Sequence, residues 1–156
     1  MEKIAIFPGS FDPFTVGHES VVSRASSLFD KIIIAIGVNA GKKNYFSLEE
    51  RKKFIGKVYK GRSDIEITHF EGLTVDFCKK MGAGYILRGL RTSADFEYER
   101  AIAQVNKAMY EEIETVFLLT MPEHTPINST IVKDVLRHGG DISDFVPKGM
   151  MDEYMK

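Results

Sequence analysis

Residues 31–38 read KIIIAIGV, an unbroken apolar run rich in β-branched side chains. Such a segment has no polar face to turn to solvent, so it fits a strand covered on both sides, as in the middle of a parallel sheet. Parallel neighbours need long crossover connections, usually helices. The rest of the chain supplies them, because strand-like and helix-like patterns alternate along most of its length. Further strand segments fall at residues 3–7 (KIAIF), 65–70 (IEITHF, alternating at period two), 85–88 (YILR) and 116–119 (VFLL).

The intervening segments carry helical spacing. Ser47 and Glu50 have the separation of a capping box, followed by an apolar stripe of Leu48, Phe54, Ile55 and Val58. Residues 73–81 repeat the pattern, with Gly82 placed to end that helix. From Asp95 onward, Tyr98, Ala101, Ile102, Val105 and Met109 share one helical face. Residues 128–138 form the next helix, closed by Gly139 and Gly140, and the tail over 142–156 reads as one or two short helices with Pro147 in a first turn. The expectation is an α/β chain: a Rossmann-like, doubly wound, five-stranded parallel sheet with helices on both faces and a short helical C-terminal tail. Residues 1–156 form one domain in this reading, since 156 residues suit a single core.

Charge narrows the partners. The 21 basic and 22 acidic side chains nearly balance, which argues against broad nucleic-acid or membrane binding but allows a local basic pocket. Cys78 is the single cysteine and is read as core rather than as a nucleophile. With no internal disulfide, no leader before the first strand and no apolar stretch near the roughly 20 residues that span a bilayer, the expected location is the cytoplasm.

Chemistry is expected in the segments that follow strands, where open α/β sheets bind ligands. The first strand breaks into PGSFDPFTVGH, bringing Gly17 and His18 to a helix mouth, and Ser129 and Thr130 open a second helix far downstream. Helix N-termini present free N–H groups and the positive end of the peptide dipoles, so two such mouths suit a nucleoside triphosphate. His18 adds a directional donor, against the plainer reading of a capping histidine. Arg88 and Arg91 flank Gly89 just past a strand and suit phosphate oxygens. Lys42 and Lys43 sit in a loop from which either can reach across a pocket or face solvent. Glu99 can meet a ribose, a magnesium-bound water or an arginine, or form a surface ion pair. P-loop, dinucleotide-fingerprint, zinc and nucleophile-elbow motifs are all missing.

These residues resemble the nucleotidylyltransferase superfamily, whose (T/H)xGH and ISSTxxR-like motifs correspond to Thr15, Val16, Gly17 and His18 and to Ile127, Asn128, Ser129 and Thr130. PGSFDPFTVGH, SLEERKKF, LRGLR followed by DFEYE, and HGGDISDFVP together resemble the bacterial phosphopantetheine adenylyltransferases over nearly the whole chain. RGLR with DFEYE separates that family from relatives that adenylate nicotinamide mononucleotide or transfer cytidylyl groups. The resemblance implies adenylyl transfer from ATP to 4'-phosphopantetheine, giving dephospho-coenzyme A and pyrophosphate with Mg2+ as cofactor. It also implies a cytoplasmic homohexamer in coenzyme A biosynthesis, with coenzyme A as a possible feedback ligand. Ser10, Lys42, Thr74 and Arg88 would then contact the phosphopantetheine side. Ser10, Phe11, His18, Gly89, Leu90, Arg91 and Glu99 would serve ATP, together with His124, Thr125, Pro126, Ile127, Asn128, Ser129 and Thr130.

An ionised phosphate is already a nucleophile, so this chemistry needs alignment and charge neutralisation rather than a base. His18, Lys42, Arg91 and Ser129 are the expected catalytic groups, and no protein side chain is expected to ligate the metal.

Overall fold

The structure, a computed structural model, describes residues 1–154. Five strands, β1 (Ile4–Gly9), β2 (Lys31–Gly37), β3 (Ile65–Phe70), β4 (Tyr85–Leu90) and β5 (Glu114–Leu119), form one sheet. All are parallel, in the order β3-β2-β1-β4-β5. The crossovers carry α1 (Val16–Ala25), α2 (Leu48–Val58), α3 (Thr74–Met81) and α4 (Ser93–Met109). After β5 come a 3-10 turn (Pro122–His124) and α5 (Ser129–Arg137), and the tail adds a second 3-10 turn (Lys148–Met150) and α6 (Met151–Tyr154). The tail thus has its two short helices, while the final two residues of that expectation lie outside the described residues.

The run at 31–38 behaves as its composition requires. Ile32 to Ile36 are each at most 1% exposed, and successive side chains go to opposite faces. Ile32, Ile34 and Ile36 join Ala5, Phe7, Val22 and Phe54 in the core on one side, whereas Ile33 and Ala35 join Ile6, Val75, Cys78 and Ile86 on the other. Cys78 is buried and its thiol is pushed up to about 12 by burial, which agrees with a core role. Ser47 closes its capping box with Glu50, and Gly82 ends α3 in the left-handed conformation at φ 66°.

The chain winds outward from β1 through β2 to β3 and then returns to the other side of β1 with β4. The reversal opens a crevice at the carboxyl ends of β1 and β4, the usual ligand position in such sheets.

Several boundaries move. Pairing with β5 carries β4 on to Leu90, so Arg88 and Gly89 lie within the strand rather than past it. Helix α4 starts at Ser93 because Thr92 caps it, its hydroxyl accepting from the Asp95 N–H. Pro147 precedes its turn as the cap residue instead of occupying the first helical position. The apolar face read on α4 is open: Tyr98, Ile102, Val105 and Met109 are 70%, 40%, 58% and 43% exposed, and the buried residue of that helix is Glu99. Helical period reveals a stripe but not what covers it.

Candidate active site

The turn between β1 and α1 is shaped by close packing. A Cβ on Gly9 would come within 2.9 Å of the Phe11 ring, and Phe11 itself has a left-handed φ of 48°. That backbone brings Phe11 edge-on to His18, centroids 5.0 Å apart at 88°, with Phe14 at 5.3 Å and Phe7 at 6.2 Å. His18 also closes the capping box of α1. Its N–H donates to Thr15 Oγ1 at 3.4 Å, while the Thr15 N–H donates to His18 Nδ1 at 3.0 Å. Burial among these rings, reinforced by Arg88 and then Arg91, lowers the imidazole to about 3. With Nδ1 accepting, the neutral ring carries its proton on Nε2. The capping reading and the donor reading are therefore one arrangement: the cap aims a neutral N–H donor.

The second mouth is built by Asn128, whose Oδ1 accepts from the Ile131 N–H at 2.9 Å. The Ser129 hydroxyl donates to the Pro13 carbonyl at 2.8 Å, tying α5 to the first turn. With Ile131 taken by the cap, the Ser129 and Thr130 N–H groups of that first turn have no intrahelical partner and remain for an anion.

The cations are placed by ion pairs. Arg88 donates from Nε and Nη2 to the two Glu99 oxygens at 2.9 and 2.5 Å, and from Nη1 to the Pro8 carbonyl at 2.7 Å. Of the options open to Glu99 from sequence, the structure shows the arginine. Arg91 is steadied by Asp95, with Nε 3.1 Å from Oδ2. Lys42 reaches over β1 to Ser10, Nζ to Oγ 3.2 Å.

Two cavities of about 400 and 360 Å³ lie side by side here. They share Pro8, Gly9, Ser10, Lys42, Arg88 and Glu99. Thr74 lines the first, so all four residues expected on the acceptor side meet in it. Phe11, His18, Gly89 and Arg91 line the second from the β1 and β4 side, and Ile127, Asn128, Ser129 and Thr130 from the α5 side. Leu90 is buried instead, while His124, Thr125 and Pro126 stand outside that lining. His124 packs near Gly17, and its Nδ1 is buried with no hydrogen-bond partner. Lys43 is exposed and lines neither cavity.

Sequence reading missed Lys133. Its side chain is only 17% exposed, lines the second cavity and lies 3.6 Å from Asp12. Its signal was its position four residues after Ser129, one turn along the same face. Among the described residues, no three His, Cys, Asp or Glu side chains converge as a metal site.

Two anion-binding helix mouths, an array of cations and a neutral histidine donor at the switch point of a parallel sheet define a nucleotidyltransferase, and a cytidylyltransferase-like family model matches residues 6–135. The fold is shared at TM-score 0.72 with a bifunctional NMN adenylyltransferase/ADP ribose pyrophosphatase from Francisella tularensis, 18% identical, covering 94% of this chain and 45% of that one. The chain is 56% identical over 146 residues to the phosphopantetheine adenylyltransferase of Flavobacterium psychrophilum, covering 94% of this chain and 96% of that protein. It is 52% identical over 147 residues to that of Leptospira biflexa, covering 94% and 92%. The chain belongs to the phosphopantetheine adenylyltransferase family.

Proposed function

We propose that this chain transfers the adenylyl group of ATP to 4'-phosphopantetheine, reversibly, giving dephospho-coenzyme A and pyrophosphate in coenzyme A biosynthesis. The observation that carries the reading is the pair of cavities joined at Ser10, Lys42, Arg88 and Glu99. One suits an acceptor arm and the other a triphosphate, with the junction where the acceptor phosphate meets the α-phosphorus. An acceptor oxygen forms the new bond to phosphorus in line with the departing pyrophosphate oxygen, and no covalent enzyme intermediate is required.

In this reading the His18 Nε2–H donates to the α-phosphate as charge builds, and Lys42 bridges the acceptor phosphate and the α-phosphate. Arg91 and Lys133 neutralise the leaving pyrophosphate. Because the Ser129 hydroxyl is committed to Pro13, its backbone N–H is the group offered to phosphate. Arg88, fixed by Glu99, holds the acceptor side. Mg2+ fits as an ion brought by the triphosphate, since it keeps several waters and is commonly bound through substrate phosphates rather than by a protein cage. When bound it would neutralise charge on the phosphate oxygens.

We assign coenzyme A as a competitor in the acceptor cavity, because it carries the same pantetheine arm. The exposed stripe on α4 supports self-association, for which the hexamer implied by the family is our reading. No helix among the described residues is long and apolar enough to cross a membrane, and the balanced charge fits small-molecule rather than nucleic-acid or membrane partners; a cytoplasmic site is proposed.

The test is pyrophosphate release from ATP and Mg2+ with either 4'-phosphopantetheine or nicotinamide mononucleotide, with the product identified by mass. Release with phosphopantetheine alone is expected. Release with the mononucleotide alone would keep the chemistry and overturn the acceptor, and silence with ATP still bound would indicate a nucleotide-binding regulator.

A further inference from the structure

Two ionisable side chains beside this site are almost completely buried and have no part in the chemistry above. Arg51, on α2, is 2% exposed, and Asp12, in the turn after β1, is 1% exposed. Burying either charge is costly unless it is paired or hydrogen-bonded, and their partners show what the burial achieves. Arg51 donates from Nη1 to the Ser10 carbonyl at 2.8 Å and from Nε to the Ser47 carbonyl at 3.4 Å. Asp12 accepts the Tyr45 N–H on Oδ2 at 2.7 Å and the Phe46 N–H on Oδ1 at 2.8 Å. The first turn thus gives a carbonyl to α2 and a carboxylate to the loop before it, and the two segments are cross-tied in both directions.

Lys42 lies in the loop between β2 and α2. On its N-terminal side the loop is folded by Asn39, which accepts the Gly41 N–H on Oδ1 and the Lys42 N–H on its carbonyl, both at 3.0 Å. On its C-terminal side the next fixed points are Tyr45 and Phe46, held by Asp12. Lys42 Nζ then rests on Ser10 Oγ, and Ser10 is the residue whose carbonyl Arg51 grips. Although Asp12 borders the nucleotide cavity and its Oδ2 lies 3.6 Å from Lys133 Nζ, each of its oxygens accepts a much shorter hydrogen bond from a backbone N–H, so its place is that of a brace.

We propose that Asp12 and Arg51 are positioning residues that hold the Lys42 loop against the Ser10 turn, fixing the Lys42 ammonium at the junction of the two cavities. Neither need touch a substrate. A long, flexible lysine stem in an exposed loop would otherwise sample many rotamers, and a displacement of about 1 Å can cost on the order of a hundredfold in rate. The inference rests on the role given to Lys42 above.

The experiment compares Arg51→Lys and Asp12→Asn, each alone and combined with Lys42→Ala, measuring kcat, both KM values and the melting temperature. Lysine keeps the charge of Arg51 but loses the fork that spans two carbonyls. Asparagine sets an amide N–H2 against one of the two loop N–H groups. Each single variant is expected to lower kcat by roughly ten- to a hundredfold while the KM for ATP moves by no more than about twofold. In the Lys42→Ala background the same changes are expected to cost less than about threefold, because both act through the ammonium already removed. Should Asp12→Asn not fold, Arg51→Lys carries the comparison.

Losses that multiply in the double variants, accompanied by a fall in melting temperature, would show ordinary structural support and overturn the proposal. So would full turnover by Arg51→Lys. If Lys42→Ala alone turns over like the parent, the role of Lys42 fails first, and that outcome is visible before either brace is touched.

Discussion

The Thr15 backbone N–H and His18 Nδ1 form a 3.0 Å hydrogen bond, and this bond settles which proton the imidazole carries. A ring whose Nδ1 accepts must hold its hydrogen on Nε2, and with the group lowered to about 3 it stays neutral across the working range. His18→Ala is expected to lower turnover by roughly two to three orders of magnitude, the scale of losing one oxyanion donor. The ratio of parent to variant rates should be flat from pH 5 to 8. A ratio that bends near the ordinary histidine value would show an imidazolium at work.

The same shift predicts a pH dependence of stability. The unfolded chain binds a proton at His18 below about 6.5, whereas the folded chain resists until about 3. Between those values the unfolded state holds more protons, so stability from this group rises with pH and is lost progressively on acidification. Urea unfolding at pH 7.5 and 4.5 is expected to show a smaller acid loss for His18→Ala than for the parent. Equal losses would mean that the ring titrates normally in the folded protein.

Glu99→Gln tests how Arg88 is held. The carboxylate takes two N–H groups of the guanidinium at once, and glutamine offers one acceptor while turning a donor toward the other. Arg88 keeps its bond to Pro8 but loses its fixed plane. Since the two side chains remain 31% and 11% exposed, the cost should fall below the 3–5 kcal/mol of a fully buried broken pair, at about 1–2 kcal/mol. Affinity for 4'-phosphopantetheine by titration calorimetry is expected to weaken by about tenfold, with ATP binding affected less. Unchanged acceptor affinity would remove Arg88 from that pocket.

Much of this architecture could be read locally, and the physical reason differs by element. The 31–38 run announced a central strand because a segment with no polar face has few places to go. His18 stood out because its glycine neighbour, cap and helix lie within a few residues. The Asp12 and Arg51 braces did not, because their partners lie 34 and 41 residues away in sequence and no spacing rule connects them. Lys133 was obscured by the hydroxyl residues before it, and β4 was read short because its last two residues are ordered by pairing with β5.

Helix α4 shows the limit most clearly, and it supplies the last prediction. Val105 and Met109 are one turn apart, 58% and 43% exposed, and line neither of the cavities at the site. A surface helix in an isolated chain gains nothing from such a stripe, whereas packing it against another copy removes apolar area from water at about 25 cal/mol per Å². Val105→Glu leaves the chain's own core untouched but sets a carboxylate where a dry contact would form. The parent is expected to sediment as an oligomer and the variant as a smaller species. Because Tyr98 and Ile102 on the same helix border the acceptor cavity, dissociation should also weaken phosphopantetheine binding more than ATP binding. A parent that sediments as a monomer, or a variant of unchanged size, would show that this stripe is not where copies of the chain meet.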